Sequence, residues 1–120
     1  MNSVTSSAEN AVLSKAFIRA GEGLGLDDTD LSAVLGEQVS RVLRLRHGHE
    51  LKPNTEAWNR ALHLVELYQS LLALVGNEQN AKIWISSKNR NLSSRPRDLI
   101  TCRAGLEQVV QYLAATRSLI

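Results

Sequence analysis

The chain has 120 residues, an apolar fraction of 43%, and 14 Lys and Arg against 12 Asp and Glu, for a formal net charge of +2. That length suits one compact domain, or two small lobes sharing a core, able to bury roughly two-thirds of the surface exposed when unfolded. One cysteine, Cys102, excludes a disulfide scaffold and a multi-cysteine metal site and fits a reducing cytoplasm; the longest apolar run, Leu71–Val75, is too short to span a membrane, and polar Met1–Ser7 lacks the parts of a signal peptide.

Leucine dominates the apolar residues, and only Phe17, Trp58, Tyr68, Trp84 and Tyr112 are aromatic. A core of that kind favours helices over sheet. Residues 1–7 read as a disordered start. From Ala8, Leu13, Phe17, Ala20 and Leu24 recur at helical steps, and Gly21, Gly23 and Gly25 are expected to end that helix. The alternating glycines follow a helix, not a strand, so they do not read as a nucleotide loop.

Asp28 or Thr29 is expected to cap a short helix to Leu35, broken by Gly36. A second short helix, roughly Gln38–His47, carries Val39, Val42 and Leu43 on one side and Ser40, Arg41, Arg44 and His47 on the other. Two short helices about a glycine form a helix-turn-helix arrangement, with Gln38, Arg41 and Arg44 as candidate DNA contacts. Asp27, Asp28, Asp30 and Glu37 weigh against that reading by repelling phosphates.

Asn54 or Thr55 caps the longest helix, about Thr55–Val75. Its apolar residues exceed one stripe, so it must bury two sides, one of them against another element or a second subunit. After Gly76, Asn77 caps a helix to about Ser86. The polar loop Ser86–Ser94 contains one apolar residue, Leu92, expected to plug it onto the core. Pro96 opens a short turn, and Thr101 is expected to cap a last helix, about Cys102–Thr116. The fold reads as all-α, with about seven helices: residues 8–53 form a helix-turn-helix-like region and residues 54–120 a second helical unit.

Charge is uneven. Residues 1–60 carry seven basic and eight acidic side chains, residues 61–120 seven and four, and Lys82–Arg103 alone holds six basic residues against Asp98. The positive field sits in one C-terminal stretch, as a solvated face or as a surface for an acidic partner. Catalytic chemistry has little footing. His47 and His49 flank a glycine and cannot easily share a face, His63 stands alone, and Cys102 has no histidine near it in sequence. These read as structural, so no enzyme activity, cofactor or metal is expected.

The run Ala81-Lys82-Ile83-Trp84-Ile85, then Leu92, then Pro96-Arg97-Asp98-Leu99-Ile100 and Gly105, resembles the Xre/MbcA/ParS antitoxin family. The order of helix-turn-helix, long helix and C-terminal unit is similar too, so the resemblance extends over about residues 8–120. The family's loop Pro-Asn is replaced here by Ser87-Lys88-Asn89, its glycines before the proline by Ser93-Ser94, and its usual tail by Ala114–Ile120. The resemblance implies a homodimeric type II antitoxin whose residues 54–120 bind a toxin. The partner would be a RES-domain toxin that consumes NAD⁺, by phosphorolysis or ADP-ribosyl transfer, with its cleft blocked and the operon repressed. The residues expected to touch the toxin are Arg90, Asn91, Arg95, Arg97, Arg117, Leu119 and Ile120, while Trp84, Leu92, Leu99 and Gly105 are assigned to structure. The alternative is a helix-turn-helix DNA-binding regulator without a toxin-blocking role.

Overall fold

A computed structural model describes the backbone of residues 3–119 and the side chains of residues 9–119. Within them lie seven helices and no strand: α1 (Ser3–Leu24), α2 (Asp28–Leu35), α3 (Val39–Arg46), α4 (Glu56–Val75), α5 (Glu78–Ser86), α6 (Pro96–Leu99) and α7 (Arg103–Arg117). The expected all-α architecture is the one observed.

The first helix differs from expectation at both ends. It begins at Ser3, since residues 3–8 contain no helix breaker and each adds to an already nucleated helix. Residues 1 and 2 lie outside the described residues. At the other end α1 runs through Gly21 and Gly23 and stops only at Gly25, whose φ of +74° is the left-handed stop. Gly21 and Gly23 are packing positions. A Cβ at residue 21 would lie 2.7 Å from Leu31 Cδ2, and one at residue 23 would lie 2.5 Å from the Tyr68 ring. Tertiary contact, not helix propensity, explains these two glycines.

Helix α2 is capped one residue earlier than expected. The Asp27 carboxylate accepts from the Asp30 amide at 2.8 Å, and the Asp30 carboxylate accepts from the Asp27 amide at 2.9 Å. This reciprocal box satisfies two backbone donors that the helix cannot, and Asp27 is the acid at the right spacing for it. Gly36, at φ +70°, turns the chain into α3. Thr55 caps α4 by accepting from the Trp58 amide at 3.2 Å, and Asn77 caps α5 by accepting from Asn80 at 2.8 Å. Cys102, not Thr101, is the N-cap of α7, because the Thr101 hydroxyl is spent on the Asp98 carbonyl at 2.9 Å.

Helix α4 is the central element, with α1, α2, α5 and α7 all packed on it. Ala61, Leu64, Leu67 and Leu71 are fully buried, and Phe17, Leu31, Leu106 and Val109 meet the same core. Each large side chain so buried contributes about 1.5–3 kcal/mol. The apolar excess of α4 is thus largely covered from within the chain. An open strip remains, where Val12, Leu13 and Ala16 of α1 and Leu62 and Val65 of α4 line a groove.

Candidate toxin-binding surface and helix-turn-helix

The loop between α5 and α6 carries Lys88, Arg90 and Arg95, three of the six basic residues of the Lys82–Arg103 stretch, and the fold holds it in one shape. Ser87 ends α5, and its hydroxyl donates to the Ile83 carbonyl at 2.6 Å. The Asn89 side chain then accepts from the Leu92 amide at 3.1 Å, and the Asn89 amide donates to the Ser94 carbonyl at 2.9 Å. Leu92 is 6% exposed, so the expected plug is present. Asn91 donates to the Tyr112 hydroxyl at 3.0 Å, and the Tyr112 ring stacks on Trp84 with centroids 6.4 Å apart. The loop is therefore fixed by polar bonds within itself and back to α5 and α7, and by one buried leucine.

The candidate contacts divide by what they touch. Arg90 is exposed and, with Lys88 and Ser93, lines a hollow of about 460 Å³. The sequence alone does not mark Lys88 as a contact, because one lysine in a polar loop carries no signal of its own. Arg95 is exposed but forked onto Asp98, at 3.0 and 3.1 Å. Arg117 is exposed and reaches Ser70 at 3.2 Å, and Leu119 is 85% exposed. Ile120 lies outside the described residues. Arg97 is engaged elsewhere. Its guanidinium donates to Asp30 at 2.6 Å, to Ser86 at 3.2 Å and to the Gly25 carbonyl at 3.3 Å. It ties α6 to α5 and to the start of α2.

That tie affects Asp30. Burial pushes its carboxyl up, but the Asp27 amide and the Arg97 guanidinium outweigh burial and hold it below its ordinary value of 3.8. A folded-state value below the unfolded one means the pair's contribution is present above pH 3.8 and is lost as pH falls through the lower folded value. Both side chains are still about 28–29% exposed. A double-mutant cycle of Arg97→Ala and Asp30→Ala is therefore expected to give a coupling of about 1 kcal/mol at pH 7, after allowance for solvent screening. Repeated by urea melts at acid pH, the coupling should vanish; a coupling that persists there would refute the pair as its source. A second cluster joins α1, α4 and α5: the Tyr68 hydroxyl donates to Glu78, which also pairs with Arg19 at 2.7 Å. The Tyr68 bond and then Arg19 hold Glu78 below 4.5, while burial and the Glu78 carboxylate raise Tyr68 above 10.

Helices α2 and α3 have the predicted helix-turn-helix order. Gln38 is the exposed N-cap of α3 and makes no side-chain cap bond. Arg44 is exposed, while Arg41 is half-buried and donates to the Glu50 carbonyl at 3.2 Å. These three, with Gly36, Glu37 and Ser40, line one polar hollow of about 420 Å³, so the fold does bring them together. Arg46 faces the other way, onto Asp28 at 2.7 Å. Val39 and Leu43, on the outer side of α3, are exposed apolar residues. His47 and His49 are exposed and His63 is half-buried; among the described residues no group of three metal-ligating side chains forms. Cys102 is exposed, and no described helix is long and apolar enough to cross a membrane.

Residues 70–118 match the family model of the antitoxin Xre/MbcA/ParS C-terminal toxin-binding domain. This part of the chain is similar to that domain. The matched segment starts inside α4 and ends past α7, and so contains the α5–α6 loop, the Trp84–Tyr112 stack and Gly105. The toxin-binding domain implies an antitoxin whose partner is a protein toxin. Helices α2 and α3 lie before the match. No individual curated protein matches the chain.

Proposed function

We propose that this antitoxin neutralises a RES-domain toxin that consumes NAD⁺, by phosphorolysis or ADP-ribosyl transfer, and that it does so by binding across the toxin's active-site cleft. The observation that supports this most is the α5–α6 loop, a cationic segment inside the toxin-binding domain with its shape fixed before any partner arrives. Pre-ordering removes the entropy that binding would otherwise cost. A cleft that accepts a dinucleotide can be rimmed by acids, and a rigid basic loop docks there without chemistry of its own. Blocking requires only occupancy, so the chain acts by binding, not catalysis.

In this reading Arg90, Asn91, Arg95, Arg117, Leu119 and Ile120 meet the toxin, and Arg97 supports them from behind. The test is co-purification with the product of the neighbouring reading frame, followed by an NAD⁺-consumption assay. The antitoxin should abolish consumption; a toxin fully active in its presence defeats the proposal. Arg90→Glu with Arg95→Glu should weaken the complex at least about tenfold, and more than Arg41→Glu does. The reverse ranking would move the surface to the helix-turn-helix.

The cytoplasm is the proposed compartment. A homodimer is supported by the apolar groove between α1 and α4. Operator binding and operon repression are supported by Gln38 and Arg44, exposed at the start and along the outer side of α3. A DNA-binding regulator without a toxin would need the same residues, and a mobility shift on the upstream promoter with the toxin absent tells the readings apart.

A further inference from the structure

Helix α5 displays one large apolar side chain that its packing does not use. Ala81 and Ile85 are buried, and Trp84 stacks on Tyr112, so this helix is anchored on its inner face. Ile83 points away, 59% exposed. Five large hydrophobic residues are exposed among the described residues, and Ile83 is the one that falls within residues 70–118. Its helical neighbours Gln79, Asn80 and Ser87 are exposed and polar. The Ser87 hydroxyl closes on the Ile83 carbonyl, so the basic loop leaves the helix one turn from this side chain. Among the described residues, Lys88 and Arg90 pair with no carboxylate, whereas Arg95, Arg97 and Arg103 do.

We propose that Ile83 is the apolar anchor of the toxin interface, seated in an apolar pocket of the toxin whose margin carries carboxylates facing Lys88 and Arg90. The inference rests on the toxin-binding reading above and names the residue that holds the complex together. Interfaces concentrate their binding energy in a few desolvated side chains near the centre, while the charged rim mainly steers approach. Ile83 suits the first role: it sits on a rigid helix, costs little to order and leaves no polar group unpaired when water is excluded. The two free cations suit the second. The inner residues of α5 cannot serve, because they already fill the core.

The test is kinetic, on the full-length chain with the product of the neighbouring reading frame immobilised. Ile83→Ala should weaken binding about tenfold and Ile83→Asp about thirtyfold or more, almost wholly through faster dissociation. Ile83→Val should restore near-wild-type dissociation. Arg90→Glu should instead slow association, and the more so at low salt. Circular dichroism and melting temperature should stay at the wild-type values for all the Ile83 variants, since the side chain is exposed. If the wild-type chain binds and Ile83→Asp dissociates at the same rate, the anchor is wrong and the toxin-binding reading survives. If the wild-type chain itself shows no binding, both fall together.

Discussion

Gly105→Ala is expected to destabilise the protein by about 3 kcal/mol or more, lowering the melting temperature by roughly 10 °C or more. Helix propensity predicts the opposite sign, because alanine in place of a helical glycine ordinarily gains up to about 1 kcal/mol. The difference lies in what sits over the glycine. Gly105 is in the first turn of α7 and is buried. A Cβ there would collide with the Leu99 carbonyl oxygen and lie 2.8 Å from its carbonyl carbon. Backbone cannot swing aside as the end of a long side chain can. Relief must come from moving α6 off α7, and α6 carries Arg97, which holds α5 and the start of α2. Ile100, 1% exposed, would be drawn out with it. Thermal and urea melts measure the effect. A neutral or stabilising result would mean that α6 and α7 do not approach this closely.

The sequence shows where the helices are and much less of where their side chains point. Helix starts follow local chemistry, so Thr55, Asn77 and Pro96 could be read in place, and the family pattern marked Trp84, Leu92 and Gly105 as structural. Apart from end-residue differences at α1, α2 and α7, the errors occur where a distant residue decides. Gly21 and Gly23 look like a helix end, but they are small because Leu31 and Tyr68 press on them. Arg97 looks like one of six surface cations; its partner Asp30 lies 67 residues earlier, and nothing local pairs them. Ile83 lies in the stretch Ala81–Ile85, whose sequence does not say which apolar side chain is left out of the core. Only the register of α5 against the core shows that residues 81 and 85 face in and residue 83 faces out. The sequence of α4 calls for a second covered face, and α1, α2, α5 and α7 supply most of that cover.

Leu92→Ala should cost about 2–4 kcal/mol at its own site, as for other buried leucines truncated to alanine, and Leu92→Asp more, because it would bury a charge. The position of the residue changes how that cost is felt. Leu92 is 6% exposed, yet it belongs to a loop whose other ties are polar: Asn89 to Ser94, Asn91 to Tyr112. The loop can lift away and rehydrate while α1, α4 and α7 stay packed. Opening of that kind is a local event, cheaper than global unfolding. Hydrogen exchange should therefore show the Asn89, Leu92 and Ser93 amides, which donate within the loop, exchanging much faster in Leu92→Asp. Core amides of α4 should change far less. Toxin affinity should fall further than the melting temperature suggests, because each freed loop residue must be re-ordered on binding at about 1–2 kcal/mol for its backbone. Equal losses of protection in the loop and in α4 would show that Leu92 belongs to the global core. An unchanged toxin affinity alongside an unprotected loop would show that the pre-formed shape of Lys88–Arg95 is not what the toxin reads.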